Sequence, residues 1–415
     1  MITGKCKGAR DFLPGEMSKF KVVGRQFRRA CSARGFEEIR TPLIEYFHLF
    51  TSAGTLTPKM LGRVYSFLDW DGWSGERVVL RPEGTIPAAR LYLENLPRGS
   101  LARLFYLENM FSFEEDASQP REKWQGGVEL IGSSAISADV ELLTLALEIL
   151  ESLNVGPVEM KVSHAGYLRA MLSSLGLSPQ KEEKLYEAIV DGQDMEEAVG
   201  STFRDIEDKD GLDNLVLLRE KTLKSLENLK ALTKLSPEMN EKIKNFVEIC
   251  RLIEDLGYRF KMDFAGGKGL EYYTGFYYRL YVRNIEIGGG GRYDGLVNDG
   301  SGVSIPASGF ALYLDRIISL LPDTTSGASS NRVYIVAETV NESALLAGMK
   351  TARALREKGF RTEMALTGGQ ENNNRWVLEC SPRNDVFNLK DRQTKKDWKL
   401  TSLPELLRTL GEPCK

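Results

Sequence analysis

Four consecutive glycines at residues 288–291 constrain the fold of this chain more than any other stretch. They lead directly into Arg292, Tyr293 and Asp294, and Tyr272 and Tyr273 lie shortly before them. Glycine is needed where a backbone passes close to a ligand or adopts a positive φ, although a flexible loop is the more common cause of a lone glycine run. Because tyrosines and an arginine flank this run, the sequence predicts a ligand pocket with stacking surfaces and a cation.

The bulk composition is that of a globular protein with ample core. The chain has 415 residues, of which 42% are hydrophobic and 27% are charged, and this length predicts two or three domains. The formal net charge is −3. That value argues against a general nucleic-acid binder, because neutralising phosphates needs clustered lysine and arginine.

The five cysteines lack the spacing of metal ligands, which predicts reduced thiols and a cytoplasmic location. No apolar run is long enough to cross a membrane, and the amino-terminal residues lack the apolar core of a signal peptide. The chain has only two histidines, His48 and His164, so we expect neither a histidine-based metal site nor a catalytic triad.

Hydrophobic periodicity divides the chain into elements. We predict helices over 18–34, 139–153 and 310–321, an extended segment over 35–45, and strands at 78–80, 104–106, 128–132 and 277–287. Residues 168–260 lack strand patterns and are predicted to form a helical insertion. Residues 322–331 are rich in serine, threonine, glycine and proline, and this composition predicts a linker. Beyond it, the pattern predicts a strand at 333–337, a helix at 342–358, a strand at 360–366, and short strands at 376–378 and 386–389.

Several separated motifs occur together in one order. They are Gly-Ala-Arg-Asp-Phe-Leu-Pro at 8–14, the segment 35–45, Leu-Arg-Pro-Glu-Gly-Thr at 80–85, the segment 104–132, and the glycine-rich stretches. In this order they resemble the histidyl-tRNA synthetase family. The resemblance implies an α+β fold, in which residues 1–167 and 261–321 form a class II aminoacyl-tRNA synthetase core with an antiparallel sheet flanked by helices. It also implies a homodimer.

The resemblance further implies a binding site for free histidine. The matching positions are Glu83, Gly84, Thr85, Gln125, Glu129, Tyr272, Tyr273 and Tyr293. The chemistry suits such a ligand, because an ammonium group favours carboxylates and an imidazole favours hydrogen-bonding partners and aromatic walls. Taken singly, Glu83 has the features of a turn or surface carboxylate, and a tyrosine pair in a strand usually has one ring in the core.

The chain departs from the family where ATP would bind. Ser112 stands where the synthetases have a phosphate-binding arginine, and Lys268 stands at the position of a second arginine. Serine lacks the charge, and lysine lacks the planar fork, with which arginine binds phosphate. We therefore expect no catalytic residues and no cofactor. Arg121, Lys268 and Arg316 are the residues that could still face an anion or nucleotide.

The carboxy-terminal region, residues 332–415, resembles a truncated anticodon-binding domain. Together with Ser112 and Lys268, this truncation resembles a non-catalytic branch of the family, the regulatory subunits of short-form ATP phosphoribosyltransferase. That resemblance implies a histidine sensor that acts in the first step of histidine biosynthesis, as a homodimer bound to the catalytic subunit of the phosphoribosyltransferase. An active histidine–tRNA ligase that uses ATP, magnesium and tRNA is the alternative. A protein that binds another small amine is the third hypothesis.

Overall fold

The computed structural model describes residues 4–52, 61–70, 75–116, 119–174, 177–190, 237–263, 273–298, 303–322, 332–337, 342–365, 374–381 and 386–411. The chain divides into two compact units, Met1–Leu321 and Pro322–Lys415. The middle of the predicted insertion, residues 191–236, lies outside the described residues, as do positions 323–331 of the predicted linker.

The first unit contains nineteen of the elements that can be described. In chain order these are α1 (Pro14–Ala33), β1 (Glu37–Glu38), β2 (Ile44–Tyr46), α2 (Phe47–Ser52), β3 (Ser66–Trp70), β4 (Gly75–Leu80), α3 (Thr85–Asn95), β5 (Ala102–Phe111), β6 (Glu122–Ile131), α4 (Ile136–Ser152), β7 (Glu159–His164), α5 (Tyr167–Ser174), α6 (Pro179–Val190), α7 (Pro237–Asp255), β8 (Lys261–Met262), β9 (Phe276–Val282), β10 (Ile285–Arg292), β11 (Ala307–Tyr313) and α8 (Leu314–Leu320).

An eight-stranded sheet forms the centre of this unit, with the order β1-β5-β6-β11-β10-β9-β7-β8. Its six inner strands are antiparallel, and the outermost strand at each edge pairs in parallel. A separate three-stranded sheet has the order β2-β4-β3. Helices α1 and α4 pack on one face of the large sheet. The α+β class with a largely antiparallel sheet is therefore confirmed.

Helix α1 shows how the sequence sets these elements. Proline at position 14 suits the first turn of a helix, and the Glu16 carboxylate accepts a hydrogen bond from the Leu13 amide at 3.3 Å. After the helix, Gly35 adopts a φ of 76°, as predicted for a glycine that ends a helix. The buried Phe27 ring packs between Phe105 and Phe310 of the sheet, at 6.1 and 6.5 Å between ring centroids.

One sequence prediction in this region is wrong and another is made more specific. The strands predicted over 277–287 are β9 and β10, and Arg283 and Asn284, which both have positive φ, form a tight hairpin turn between them. The predicted helix at 310–321 begins only at Leu314, because residues 310–313 continue strand β11 between β10 and β6. The helical spacing of buried residues starts there, with Leu314, Ile317 and Ile318.

The glycine run is the body of strand β10. None of the four glycines has a positive φ, so the conformational reason for glycine does not apply. Space is the reason: a β-carbon on Gly290 would lie 2.4 Å from the Gly309 carbonyl oxygen, and one on Gly291 would lie 2.5 Å from the Tyr277 β-carbon. The run therefore lets three central strands approach closely.

The second unit is a small α/β fold. Its elements are β12 (Arg332–Ala337), α9 (Glu342–Glu357), β13 (Arg361–Met364), β14 (Trp376–Cys380), β15 (Phe387–Asp391), β16 (Lys396–Leu400) and α10 (Leu403–Leu410). The sheet order is β13-β12-β14-β15-β16, and β12 is parallel to both of its neighbours. The predicted strand–helix–strand is present. Strand β16 and helix α10 were not predicted. No helix in the described parts of the chain is long and apolar enough to cross a membrane.

Candidate amino-acid binding site

One row of the large sheet sets the geometry of the predicted site. Glu129 on β6, Gly309 on β11, Gly291 on β10 and Tyr277 on β9 are successive partners across the strands. Residues paired in this way point to the same face of a sheet. With strands roughly 4.8 Å apart, a carboxylate and an aromatic ring stand about 14 Å apart on either side of a floor without side chains.

The neighbouring row repeats this arrangement. Tyr106, Gly127, Ala311, Gly289 and Arg279 are paired in turn from β5 to β9, on the same face as the first row. Small residues again occupy the three middle positions, between a tyrosine and an arginine. Gly289, Ala311 and Arg279 are partly exposed, so this floor can be reached from solvent. The two rows form a shallow groove across the sheet.

Glu129 is the centre of the hydrogen bonding at one end of the groove. Its side chain is buried, with 1% of its surface exposed, and its carboxylate accepts hydrogen bonds from the hydroxyls of Thr85 at 3.0 Å, Tyr106 at 3.4 Å and Tyr293. Burial raises the pKa of Glu129 to about 8, and the nearby Glu83 adds to the rise, although the hydroxyl hydrogen bonds oppose it. This carboxylate lacks a cation among its described contacts.

Glu83 lies beside this cluster at the start of helix α3. Its two carboxylate oxygens accept hydrogen bonds from the backbone amides of Thr85 and Ile86, each at 2.8 Å. These amides have no partner within the helix, so the carboxylate caps the helix and is held in one orientation. Burial raises the pKa of Glu83 to about 7 despite these bonds. Two carboxylates with raised pKa values are thus neighbours, as an ammonium ligand requires.

Tyr106 joins these groups, and the sequence analysis did not identify it as a site residue. Its hydroxyl accepts a hydrogen bond from the Gln125 side-chain amide at 3.3 Å and donates to Glu129. A β-carbon on Gly84 would lie 2.3 Å from the Tyr106 ring, and one on Gly127 would lie 2.1 Å from it. The ring is therefore held between two positions where only glycine fits. Gly84 and Gly127 are the features of the sequence that could have indicated the position of the Tyr106 ring.

Most of the predicted histidine-binding residues come together at this end of the groove. Glu83, Gly84, Thr85, Gln125, Glu129 and Tyr293 all belong to the cluster around Tyr106. The Tyr273 ring is nearly parallel to the Tyr277 ring, with centroids 5.7 Å apart, and Tyr277 forms the far end of the first row. Tyr272 lies outside the described residues. Their role in binding histidine stays a prediction.

The other part of the predicted site surrounds Ser112. The Ser112 hydroxyl accepts a hydrogen bond from the Lys123 ammonium at 3.1 Å and donates one to the Glu114 carboxylate at 3.2 Å. Lys123 and Arg63 also pair with Glu114, at 2.8 and 3.3 Å. Burial alone would raise the pKa of Glu114, but these two cations hold it below its usual value. The cations nearest Ser112 are thus already paired with Glu114, although the charges of Glu114, Lys123 and Arg63 sum to +1.

The two described arginines that are predicted to face an anion also make contacts within the protein. The Arg121 guanidinium donates to the Glu114 carbonyl oxygen at 2.7 and 3.0 Å and lies 4.3 Å above the Phe113 ring. Arg316 is exposed, donates to the Glu286 carbonyl oxygen at 2.6 Å, and lies 4.7 Å from the centre of the Tyr313 ring. Lys268 lies outside the described residues. The described contacts do not bring Arg121 and Arg316 together.

A buried ionic network fixes the segment that carries Glu83. Arg81 pairs with Glu108, and both side chains are almost fully buried. Thr41 donates to the Glu108 carboxylate from its amide at 3.2 Å and its hydroxyl at 3.0 Å, and Arg81 donates to the Thr41 carbonyl oxygen at 3.0 Å. Because every charge has a partner, this network can hold the loop before α3 in place.

No metal-binding group of three or more histidine, cysteine or acidic side chains occurs in the parts of the chain that the structure describes. The four described cysteines are unpaired thiols; Cys6 is exposed, and Cys31, Cys250 and Cys380 are buried. The carboxylates of the site accept hydrogen bonds from hydroxyls and backbone amides.

Comparison with known proteins fixes the family. The family profile of histidyl-tRNA synthetase matches residues 8–317, which is most of the chain. This chain belongs to the histidyl-tRNA synthetase family. The prediction made from the separated motifs is therefore confirmed, and the matched segment includes every residue of the groove.

Among relatives within this family, two classes of protein are similar to the chain. An ATP phosphoribosyltransferase regulatory subunit of Dehalococcoides mccartyi is 39% identical over 415 residues, covering 99% of each chain. One from another strain is 44% identical over 324 residues, covering 77% of this chain and 78% of the relative. A histidine–tRNA ligase of Methanocaldococcus jannaschii is 32% identical over 370 residues, covering 88% of this chain and 86% of the relative.

Solved structures agree on the fold. A Bacillus halodurans protein described as an ATP phosphoribosyltransferase regulatory subunit/histidyl-tRNA synthetase superposes with a TM-score of 0.78 at 24% identity, covering 92% of this chain and 98% of that one. Histidyl-tRNA synthetase from Nostoc superposes with a TM-score of 0.73 at 19% identity, covering 98% of each chain. At these identities the likeness establishes the class II synthetase fold.

Proposed function

We propose that this member of the family is a regulatory subunit of ATP phosphoribosyltransferase that senses histidine without catalysing a reaction itself. The observation that carries the proposal is the contrast between the two parts of the site. The carboxylate end of the groove has two neighbouring carboxylates around Tyr106, whereas at the other part Ser112 stands in place of an arginine and its neighbour Lys123 already pairs with Glu114. The names of two similar relatives, both ATP phosphoribosyltransferase regulatory subunits, support this assignment.

The ligand would be held by the groups at the carboxylate end of the groove. The ammonium of histidine would lie between Glu83 and Glu129, and its imidazole would extend along the glycine floor toward Tyr273 and Tyr277. Binding would convert two weakly acidic carboxyl groups into ionised partners of a cation. A typical allosteric coupling of about 1–3 kcal/mol would transmit occupancy to the catalytic subunit.

Loss of ATP chemistry follows from the charges near Ser112. Phosphate transfer requires cations that are free to meet the developing charge, and loss of one such group typically costs roughly 3–4 kcal/mol of transition-state stabilisation. Lys123 is near enough to replace the missing arginine, but Glu114 already pairs with it. We therefore expect no cofactor, and neither ATP nor magnesium would be needed for histidine binding.

The proposal includes a homodimer. The three-stranded sheet exposes several large apolar side chains, and Trp70 is 65% exposed. Leu68 lies on the same face of this sheet as Trp70, and Ile44, Tyr46 and Phe67 are exposed on the opposite face. Exposed apolar groups on a small sheet favour burial against another protein surface. A second copy of the chain is the proposed partner for this surface, and the catalytic subunit would bind the resulting dimer.

Calorimetric titration of the purified chain with L-histidine, followed by an ATP–pyrophosphate exchange assay, tests the proposal. We expect saturable histidine binding, no exchange, and phosphoribosyltransferase activity of the separate catalytic subunit that depends on adding this chain. Histidinol keeps the ammonium and imidazole and serves as a matched ligand. Exchange at the rate of an active synthetase would reject the proposal.

A histidine–tRNA ligase is the second candidate. The similarity to archaeal ligases over 88% of this chain and the presence of Arg316 favour it. The two candidates differ in one assay, because only the ligase would transfer histidine to tRNA in the presence of ATP and magnesium. A variant with Lys123→Ala separates them further, since it would abolish ligation if Lys123 has replaced the missing arginine and would leave histidine binding unchanged in a sensor.

A further inference from the structure

A second cavity, of about 250 Å³, lies on the opposite side of strands β9 and β10 from the groove. Its walls come from the first turn of α4, the end of β7, one side of helix α7, and the ends of β9 and β10. Thr274 and Arg292 line it, and their chain neighbours Tyr273 and Tyr293 belong to the predicted histidine site. All the lining residues belong to the described parts of the first unit.

Two buried polar atoms on residues that line this cavity have no hydrogen-bond partner within 3.5 Å among the described residues, although the Ser308 hydroxyl is near enough to Asp139 to act toward lowering its pKa. They are one oxygen of Asp139 and Nδ1 of His164, and these residues are only 4% and 5% exposed. The other Asp139 oxygen accepts two hydrogen bonds from the Arg292 guanidinium, at 2.9 and 3.1 Å. Buried polar atoms normally have partners, so two on the wall of one cavity indicate a missing polar ligand or water.

The charges and rings of the wall define the chemistry of that ligand. Three carboxylates line the cavity, those of Asp139, Glu241 and Asp294, against the two cations Lys242 and Arg292. Burial lowers the pKa of His164 to about 4, although a hydrogen bond with the Ala165 backbone opposes this and the charge of Lys242 adds to it, so the imidazole is neutral at pH 7. The wall therefore carries a net negative charge.

Aromatic rings form the apolar part of the same wall. The Phe246 ring lies 5.8 Å from the His164 ring and 6.1 Å from the Phe276 ring, measured between centroids. The volume corresponds to roughly eight water molecules at about 30 Å³ each, which is enough for a ligand of comparable heavy-atom number. A cation close to aromatic faces gains a further electrostatic attraction.

We propose that this cavity binds a small primary amine with an apolar or aromatic body. The ammonium donates to the free oxygen of Asp139 and to Nδ1 of His164, and the apolar body packs against Phe246 and Phe276. Such a ligand satisfies both buried atoms and neutralises the excess negative charge of the wall. This site is separate from the carboxylates of the groove, and it would bind its ligand whether or not the groove binds histidine.

Histidine-ring NMR of the full chain tests the proposal, with benzylamine as the probe. The chain has two histidines, so His164 gives one ring signal and the exposed His48 gives an internal control. We expect a saturable shift of the His164 signal and no shift of the His48 signal. Benzyl alcohol, which has the same shape without the charge, serves as the matched ligand and should bind at least about tenfold more weakly. The titration is repeated in Glu129→Gln, which removes the carboxylate of the groove.

A pair of variants on helix α7 locates the binding. Asn245 is exposed and lines the cavity, whereas its neighbour Lys244 is exposed and does not. Asn245→Trp should fill the cavity and abolish the His164 shift, and Lys244→Trp should leave it unchanged. Both should unfold at the same temperature as the parent, because neither position is in the core.

Three results with the parent and the helix variant would overturn the proposal, and a fourth concerns Glu129→Gln. The first three are the absence of a saturable His164 shift, an equal response to benzyl alcohol, and a shift that persists in Asn245→Trp. A shift that disappears in Glu129→Gln would assign the amine to the groove instead, and would likewise reject the second site. Because histidine binding to the parent is measured separately, failure here leaves the proposed function to stand or fall on its own experiment.

Discussion

At the scale of single residues, the ionisation of Glu129 dominates the behaviour of the groove. Its pKa of about 8 and the value of about 7 for Glu83 mean that both carboxyl groups are partly protonated at neutral pH. An ammonium ligand favours their charged forms and lowers both pKa values. Histidine binding at pH 7 should therefore release protons from the protein.

The release is measured by calorimetry in two buffers that differ in ionisation enthalpy. We expect the apparent binding enthalpy to differ between the buffers by an amount equivalent to roughly one released proton at pH 7. At about pH 9.5 the difference should change sign, because both carboxyl groups are already ionised and the amino group of free histidine must take up a proton to bind as an ammonium. Glu129→Gln removes the larger contribution and should also weaken binding at least about tenfold. An identical enthalpy in both buffers at pH 7 would contradict this assignment of the ammonium site.

A substitution at Gly309 tests whether the small residues on the floor of the groove set the position of the Glu129 carboxylate. A β-carbon on Gly309 would lie 2.1 Å from a Glu129 oxygen and 2.6 Å from the Val128 carbonyl oxygen. We expect Gly309→Ala to displace Glu129, to weaken histidine binding at least about tenfold, and to lower stability by roughly 1–3 kcal/mol.

Gly15→Ala is the matched control for Gly309→Ala. No atom lies within 4 Å of the β-carbon that it would add on helix α1, so we expect neither binding nor stability to fall. Both effects are read from titration with histidine and from urea unfolding. Unchanged binding in Gly309→Ala would show that Glu129 tolerates displacement.

The residues of the candidate site differ in how far sequence could predict them. The family motifs, which occur in the expected order along the chain, include four residues that the structure places in one cluster: Glu83, Thr85, Gln125 and Glu129. Tyr106 was missed because a tyrosine in an apolar strand looks like a core residue. Its position depends on glycines 84 and 127, which come from two distant segments, so no local pattern reveals it.

At the scale of elements, the hairpin between β9 and β10 positions the two rows of small residues. Arg283 and Asn284 have φ values of 49° and 64°, which suit a two-residue turn but strain most side chains. Asn284→Ala should lower the unfolding free energy by about 1 kcal/mol, because alanine resists this conformation.

Asn284→Gly is the matched change at this turn. It should alter stability by less than about 0.5 kcal/mol, since glycine adopts positive φ without strain but gains freedom in the unfolded chain. Urea unfolding compares the two variants, and the side chain of Asn284 is exposed in the parent. Equal stability of the two variants would rule out a turn that requires positive φ at this position.

Sequence patterns failed for two elements, the end of strand β11 and strand β16. Phe310 to Tyr313 were assigned to a helix because they precede a true helical pattern without an intervening glycine or proline. Their strand state depends on hydrogen bonds to β6 and β10, which are distant in sequence. Strand β16 was missed for a similar reason, because its lysines are exposed at the edge of a sheet and only Trp398 and Leu400 alternate.

At the scale of the whole molecule, buried ionisable groups make stability depend on pH. Raised carboxyl pKa values favour the folded state below about pH 4.5, and this contribution is lost as pH rises to about 8. His164 acts in the opposite direction, because its lowered pKa adds stability as pH rises from about 4 to 6.5. Above pH 6.5 only the carboxyl contribution is still changing among these three groups.

Between pH 6.5 and pH 8, the stability of the first unit should therefore fall. For a carboxyl group with the pKa of Glu129, the fall amounts to roughly 1.5–2 kcal/mol. Urea unfolding of the parent and of Glu129→Gln at the two pH values measures it, and the variant should show a smaller decline. A parent whose stability rises over this interval would contradict the raised pKa.

The overall architecture could be predicted largely because the family motifs fix a topology that periodicity alone does not. Local patterns located the helices α1 and α4 and the first strands of the second unit. They could not give the strand order, in which β11 pairs with β6 across nearly two hundred intervening positions. Pairing of that kind depends on the fit of distant surfaces, such as Phe27 against Gly126.

Strands β9 and β10 separate two compartments, the groove on one face of the sheet and the cavity on the other. The side chains of successive residues in an extended chain point in opposite directions. The Arg292 side chain therefore lines the cavity, and the side chain of the next residue, Tyr293, contacts Glu129 in the groove. A sideways displacement of one strand by a fraction of an ångström would alter both compartments at once. A ligand in either compartment would therefore contact residues whose immediate chain neighbours line the other.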